Sequence, residues 1–287
     1  MNAGAEEPLI FECQGSTLVG ILHRPATARR GVAVLVIVGG PQYRVGSHRQ
    51  FVSSARSIAA AGYPVLRFDY RGMGDSDGEF AGFECVSDDI RSAIDALCSA
   101  CHPPRGVVLL GLCDAASAAL MYCSSDTRVA GLILMNPWVR TGHSQAAVIV
   151  KRYYVTRFLQ ADFWRKLVSG GFDFIGSTAS LVRNVLRAAK RPGAGETTGF
   201  IGTMRTGFEQ SSAPMLIVQS GRDLTADEFR ALCRDDAGWQ RALVRDTVQV
   251  VDMAQADHTF SRMSDLEEFN GHCERWLDRQ FGGAECR

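Results

Sequence analysis

The chain is predicted to be an α/β protein: a mostly parallel, eight-stranded sheet with helices on both faces and an inserted helical cap. Three observations carry this. Short Val/Ile/Leu runs alternate with amphipathic patterns along most of the 287 residues, as expected where helices connect strands of a parallel sheet. The run from Val107 leads through Gly111-Leu112-Cys113-Asp114-Ala115 into an alanine-rich helical pattern, which is a strand, a tight turn and a helix with a thiol at the apex. Finally, the alternation stops after Asn136-Pro137-Trp138 and resumes only at Pro214, a gap of about 75 residues and too long for one crossover.

The elements follow in order. Pro8 to Cys13 and Thr17 to His23 are β-prone runs around Gln14-Gly15-Ser16 and form an opening hairpin. Gly31 to Val38 is a strand buried on both faces, ending in the turn-rich Gly39-Gly40-Pro41-Gln42-Tyr43-Arg44. Residues 47–61 are helical. The strand Tyr63 to Tyr70 runs into the glycine- and acid-rich loop 71–78, and Phe83 to Cys98 is an amphipathic helix. The apex turn and its helix come next, then a strand from Val129 to Met135. The core domain comprises 1–136 and 213–287. Residues 137–212 form the cap, with helical patterns at roughly 144–168 and 176–190 and a Gly/Thr-rich stretch at 192–207. After it come a strand at 214–219, a helix at about 225–235, a strand at 246–252 and a closing helix from Asp265 to Phe281.

Composition narrows the class. Lys plus Arg equal Asp plus Glu at 31 each, so no global charge points to nucleic acid. The longest clean apolar run, Val32 to Val38, is far short of the ~20 residues of a membrane span. The N-terminal residues show no signal-peptide pattern. Nine scattered cysteines argue against a disulfide framework, and reduced thiols point to the cytoplasm. Cys98-x-x-Cys101 has metal or redox spacing without a matching second pair, so no metal or cofactor is assigned. The cap carries eleven basic and four acidic residues. That excess motivates an anionic substrate as a sub-hypothesis, with a solvated helix face as the plain alternative.

Three residues lie just after predicted strands, where open parallel sheets place their sites: Cys113, Asp223 and His258. Together they make a thiol nucleophile, an imidazole to move its proton and a carboxylate to orient the imidazole. Each has a modest alternative. Cys113 could be a small buried hydrophobe, Asp223 a helix N-cap and His258 a surface loop residue. Asp75 and Asp77 are weaker candidates for the acid. Acyl transfer also needs donors for the developing oxyanion. These are the backbone N–H of Asp114 and one from the loop after the third strand, with Gly40 first and Gln42 second, since Pro41 has no N–H.

These residues together resemble the α/β-hydrolase superfamily over nearly the whole chain. Phe68-Asp69-Tyr70-Arg71-Gly72-Met73-Gly74-Asp75-Ser76 is similar to that family's Asp-x-Arg-Gly-x-Gly-x-Ser loop, Val38-Gly39-Gly40-Pro41-Gln42 to its oxyanion loop, and Asp257-His258-Thr259-Phe260 to its histidine loop. The order nucleophile, acid, base is also that family's. The longer run from Gly39 to Arg49, with Gly111 to Ala115, resembles the exosortase A system-associated hydrolases of bacteria, which implies a genomic setting beside exopolysaccharide and protein-sorting loci. Two departures stand out. The family's usual histidine before the oxyanion glycine is Val38, so that loop is held differently. Its usual serine is Cys113, as in dienelactone hydrolases and polyhydroxyalkanoate synthases.

The expected function is a cysteine hydrolase that cleaves an ester, thioester or lactone of a small acyl substrate. An acyltransferase using the same triad and a non-catalytic binding protein of the same fold are the alternatives. Oligomeric state is not encoded in any of these features.

Overall fold

Which helices a strand meets is decided by the alternation of its side chains. In the computed structural model the described residues are 4–27, 31–39, 42–103, 105–139 and 199–282. Among them, strands β1 (Glu6–Cys13), β2 (Ser16–His23), β3 (Ala33–Ile37), β4 (Val65–Phe68), β5 (Val107–Leu112), β6 (Val129–Met135), β7 (Met215–Ser220) and β8 (Val248–Met253) form one sheet. Its order is β1-β2-β4-β3-β5-β6-β7-β8. β2 runs antiparallel to β1 and β4, and the pairs from β4 through β8 are parallel.

Every residue of β3 and β5 is buried. Val34, Val36, Val108 and Leu110 face one way, onto helices α1 (Gln50–Ala60) and α7 (Met263–Phe281), through Phe51, Ile58, Phe269 and Trp276. Leu35, Ile37 and Leu109 face the other way, onto α2 (Ser87–Cys101) and α3 (Asp114–Tyr122). That two-residue period places one apolar layer on each side of the sheet. The edge strand β1 alternates between exposed and half-buried side chains. Its turn to β2 uses Gln14 and Gly15, both at positive φ, the backbone pattern that suits a two-residue hairpin loop.

The expected cap helices at 144–168 and 176–190 lie outside the described residues. The end of that region differs from expectation. Phe200–Gln210, within and beyond the stretch read as Gly/Thr-rich, is helix α4. Its apolar residues Met204 and Phe208 recur at helical spacing and are fully buried. Gly207 lets α4 touch α3: a Cβ there would lie 1.9 Å from the carbonyl oxygen of Leu120. Helix α5 (Leu224–Asp235) is followed by a short helix α6 (Ala237–Leu243), which no sequence pattern announced. Asp236 ends α5 and caps α6 through Gly238 and Trp239 N–H, and Trp239 packs against Phe208 and Phe229. No helix among the described residues is long and apolar enough to cross a membrane.

Candidate active site

The carboxyl ends of β5, β7 and β8 meet at one place. Cys113 follows β5 with φ 62° and ψ −125°, a conformation costly for a residue with a Cβ, typically ~1–3 kcal/mol. The surroundings hold it there. Its N–H donates to Met135 O at 2.9 Å, and its carbonyl accepts from Ala116, Ser117 and Trp138 N–H. Gly111 admits the start of α3, since a Cβ on it would stand 2.7 Å from the Ala115 backbone. The thiol is half-buried.

Asp223 follows β7, and its carboxylate makes the contacts of both readings that the sequence left as alternatives. Its carboxylate accepts from Thr225 N–H at 3.0 Å and Ala226 N–H at 3.3 Å, capping α5. The same group lies 2.7 Å from His258 Nδ1 through Oδ2. The loops bearing these residues touch closely: a Cβ on Gly221 would lie 2.3 Å from Ala254 O. Past β8, Asp257 accepts from Thr259 and Ser261 N–H and turns the chain sharply at His258.

The imidazole of His258 contacts the Asp223 carboxylate through Nδ1, and Cys113 is the second side chain that acts on its charge. Burial works against its charge. The hydrogen bonds to Asp223 and Cys113, and the charge of Asp223, outweigh burial and lift its pKa from 6.5 to about 10. Nδ1 therefore holds its proton toward the carboxylate, and Nε2 is the nitrogen left for the thiol.

Asn136, not singled out as functional from sequence, ties these strand ends together. It is fully buried at φ 44°. Its Nδ2 donates to Ser220 Oγ at 2.9 Å and to His258 O at 3.2 Å, and its Oδ1 accepts from Ser220 N–H at 2.8 Å. A buried asparagine directly after a central strand was the only available signal.

Of the oxyanion candidates, Asp114 opens α3 beside Cys113, Gly40 lies outside the described residues, and Gln42 accepts from Ser47 N–H through Oε1 at 3.2 Å. Gly39 passes directly over the turn: a Cβ on it would come 2.0 Å from Asp114 Oδ1. Asp75 is turned to Arg44 instead of the histidine. Among the described residues no group of three or more His, Cys, Asp or Glu could hold a metal, and the described cysteines, Cys98 and Cys101 included, are free thiols.

A thiol on a strained strand-to-helix turn, an imidazole and a carboxylate, all at the carboxyl edge of a parallel sheet, define the hydrolase class built on strand–elbow–helix architecture. The chain belongs to the α/β hydrolase family, whose model matches residues 34–271. Solved structures of the same fold include an esterase of Pyrococcus furiosus, 14% identical over 96% of this chain and 91% of that one, with a TM-score of 0.65. The esterase domain of a Rhodothermus marinus protein is 19% identical over 97% and 100%, with a TM-score of 0.61. Est1E of Butyrivibrio proteoclasticus, solved with ferulic acid bound, is 15% identical over 95% and 98%, also at 0.61. No curated protein matches the chain in sequence.

Proposed function

We propose that the chain is a cysteine hydrolase that cleaves an ester, thioester or lactone through an acyl-Cys113 intermediate. The observation that carries this is His258, its Nδ1 2.7 Å from Asp223 and its charge favoured by both Asp223 and Cys113, past the strand ends that also present Cys113 on its strained turn. In the proposed cycle the Cys113 sulfur attacks the carbonyl carbon. The oxyanion accepts hydrogen bonds from Asp114 N–H and from Gly40 or Gln42 in the loop after β3. His258 gives its proton to the leaving group. It then takes one from water, which releases the acid and restores the thiol. Asp223 keeps the imidazole in the tautomer this needs.

The Pyrococcus and Rhodothermus neighbours, named as esterases, support acyl-ester chemistry of this kind. The eleven basic residues expected in the cap favour an anionic acyl substrate. Reduced thiols favour the cytoplasm, and the resemblance to exosortase A system-associated hydrolases implies a bacterial genomic setting beside exopolysaccharide and protein-sorting loci. The sulfur at the apex favours one second reading, transfer of the acyl group to an amine, thiol or alcohol, because a thioester intermediate is activated toward such acceptors. The test is mass spectrometry of the intact protein after incubation with a panel of esters and thioesters. An acyl adduct on Cys113, absent in Cys113→Ala, is the expected result. Adduct loss in buffer alone indicates hydrolysis, and loss only on adding an acceptor indicates transfer. Unmodified protein across the panel, with turnover intact in Cys113→Ala, would refute the mechanism.

A further inference from the structure

The stretch that ends β6 touches all three loops of the site. Met135 O accepts from Cys113 N–H at 2.9 Å, and Trp138 N–H donates to Cys113 O at 3.1 Å. Trp138 O in turn accepts from Ser117 Oγ at 2.6 Å, one turn into α3. Between these contacts, Asn136 N–H donates to Val218 O at 3.0 Å and carries the ladder on to β7. Its side chain reaches the two remaining loops. One starts at Ser220 and bears Asp223, and the other lies past β8 and bears His258.

The amide is matched to that task atom by atom. Ser220 N–H can meet only an acceptor and His258 O only a donor, so Oδ1 faces the first and Nδ2 the second. The other hydrogen of Nδ2 goes to Ser220 Oγ. An ionised aspartate has no hydrogen for His258 O, and a serine is too short to span both loops. The backbone adds a second requirement. Asn136 holds φ 44°, a region that asparagine enters more readily than most residues with a Cβ. Both demands meet in a side chain with no solvent exposure.

His258 needs such a hold. It lies beyond the edge strand β8, about a third exposed, and its Nδ1 meets a carboxylate carried by a different loop. The flanks of its loop are tied elsewhere: Arg222 N–H donates to Ala256 O at 3.0 Å, and His48 Nε2 lies 3.0 Å from Thr259 O. The bond from Asn136 falls on His258 itself, and the same amide is anchored at Ser220, three residues before Asp223. We infer that Asn136 is a positioning residue for the histidine: it sets the backbone of His258 against the loop that bears Asp223, and so aims the imidazole at that carboxylate. The inference rests on the reading of His258 as the base that serves Cys113. Aim matters there, because a misplacement of about 1 Å made from outside the reacting groups can cost about 10²-fold in rate.

Two readouts on the full chain separate positioning from structural support alone. One is the titration midpoint of His258, followed by NMR at its ring Cε1. The other is the rate of Cys113 acylation by p-nitrophenyl acetate. Asn136→Gly leaves the backbone free to hold positive φ and removes the amide. In the folded variant the midpoint is expected to fall from about 10 toward 6.5, by about one unit or more, and acylation to slow by about 10–100-fold. Asn136→Ser offers Ser220 a partner but falls short of His258 O, so it should show the same two losses and serves if the glycine variant does not fold. Ser220→Ala removes one bond of the amide and spares the one to His258 O, so it should lose less in both readouts. A lower melting temperature with both readouts unchanged in the folded Asn136 variants would overturn the inference and leave the acyl-Cys113 reading standing. Losses in Ser220→Ala as large as in the Asn136 variants would overturn it too, because the grip on His258 would then not be what matters. If wild-type protein forms no adduct at Cys113, the underlying reading fails and this inference goes with it.

Discussion

His23 and His258 sit toward opposite edges of the same sheet, and each makes a short contact with a single charged partner. His23 ends β2 almost fully buried, and its Nε2 accepts from the Arg67 guanidinium at 3.0 Å. His258 follows β8, about a third exposed, with Nδ1 2.7 Å from the Asp223 carboxylate. Burial disfavours the charged form of both. At His23 the neighbouring cation adds to burial and the pKa falls to about 4. At His258 the hydrogen bonds to Asp223 and Cys113 overcome burial and raise it to about 10. One residue type is thereby a neutral acceptor that helps to seat Arg67, and elsewhere a charged donor beside a thiol. The sign of the partner, more than the depth of the site, decides which.

Removing the partner that sets the sign at His258 should have the largest effect. Asp223→Asn still caps α5, because asparagine is an equally good N-cap, but it takes away the negative charge. Acylation of Cys113 should drop about 10⁴-fold, with helicity by circular dichroism unchanged. Retained activity would show that the carboxylate is only a cap. The second effect concerns acid stability. Below pH 6.5 the unfolded chain takes up a proton that folded His23 refuses until about pH 4. Stability should therefore fall across that window by on the order of 3 kcal/mol, measured by urea unfolding, and His23→Gln should flatten the fall. His258 has the opposite sign. Its stabilisation is complete below pH 6.5 and is lost as pH climbs through about 10, so the stability difference between wild type and His258→Gln should shrink over that range.

Thiol reactivity offers a third, smaller contrast. At pH 6 Cys113, beside a protonated imidazole, should be alkylated about tenfold or more faster than exposed Cys85. Burial pushes the thiols of Cys123 and Cys233 up to about 11 and about 12, and both should remain unmodified in native protein. Equal labelling of Cys113 and Cys85 would break the comparison between the two histidines. The smallest effect is expected at Glu6, a carboxylate 3.7 Å from His23 Nδ1 and paired mainly with Arg56 on the surface. Glu6→Gln should change stability by no more than about 0.5 kcal/mol, while moving the His23 transition slightly further into acid.

Strand positions and the residues gathered at the strand ends were legible in sequence because both obey local rules. Buried strands announce themselves as Val/Ile/Leu runs, and Cys113 and Asp223 each stand just past one, with His258 after the edge strand β8. The two contacts of Asp223 were half-legible: the cap and the acid were rival readings, and one carboxylate reaches both the α5 amides and His258. What holds the site together was less visible. Asn136 acts across elements 84 to 122 residues apart, and such pairings leave no period or spacing along the chain. Helix α6 was missed because seven residues are too few to show a face, and α4 because its glycines mask an apolar stripe whose purpose is close contact with α3.

Asp223 also ties the placement of His258 to a particular mode of breathing. The first turn of α5 and the orientation of His258 share one carboxylate, so an opening of that turn releases the imidazole even while the sheet stays intact. Such local openings need far less free energy than global unfolding. Loss of activity on warming should then precede the cooperative melt and coincide with hydrogen exchange at Thr225 and Ala226, whose amides that carboxylate protects.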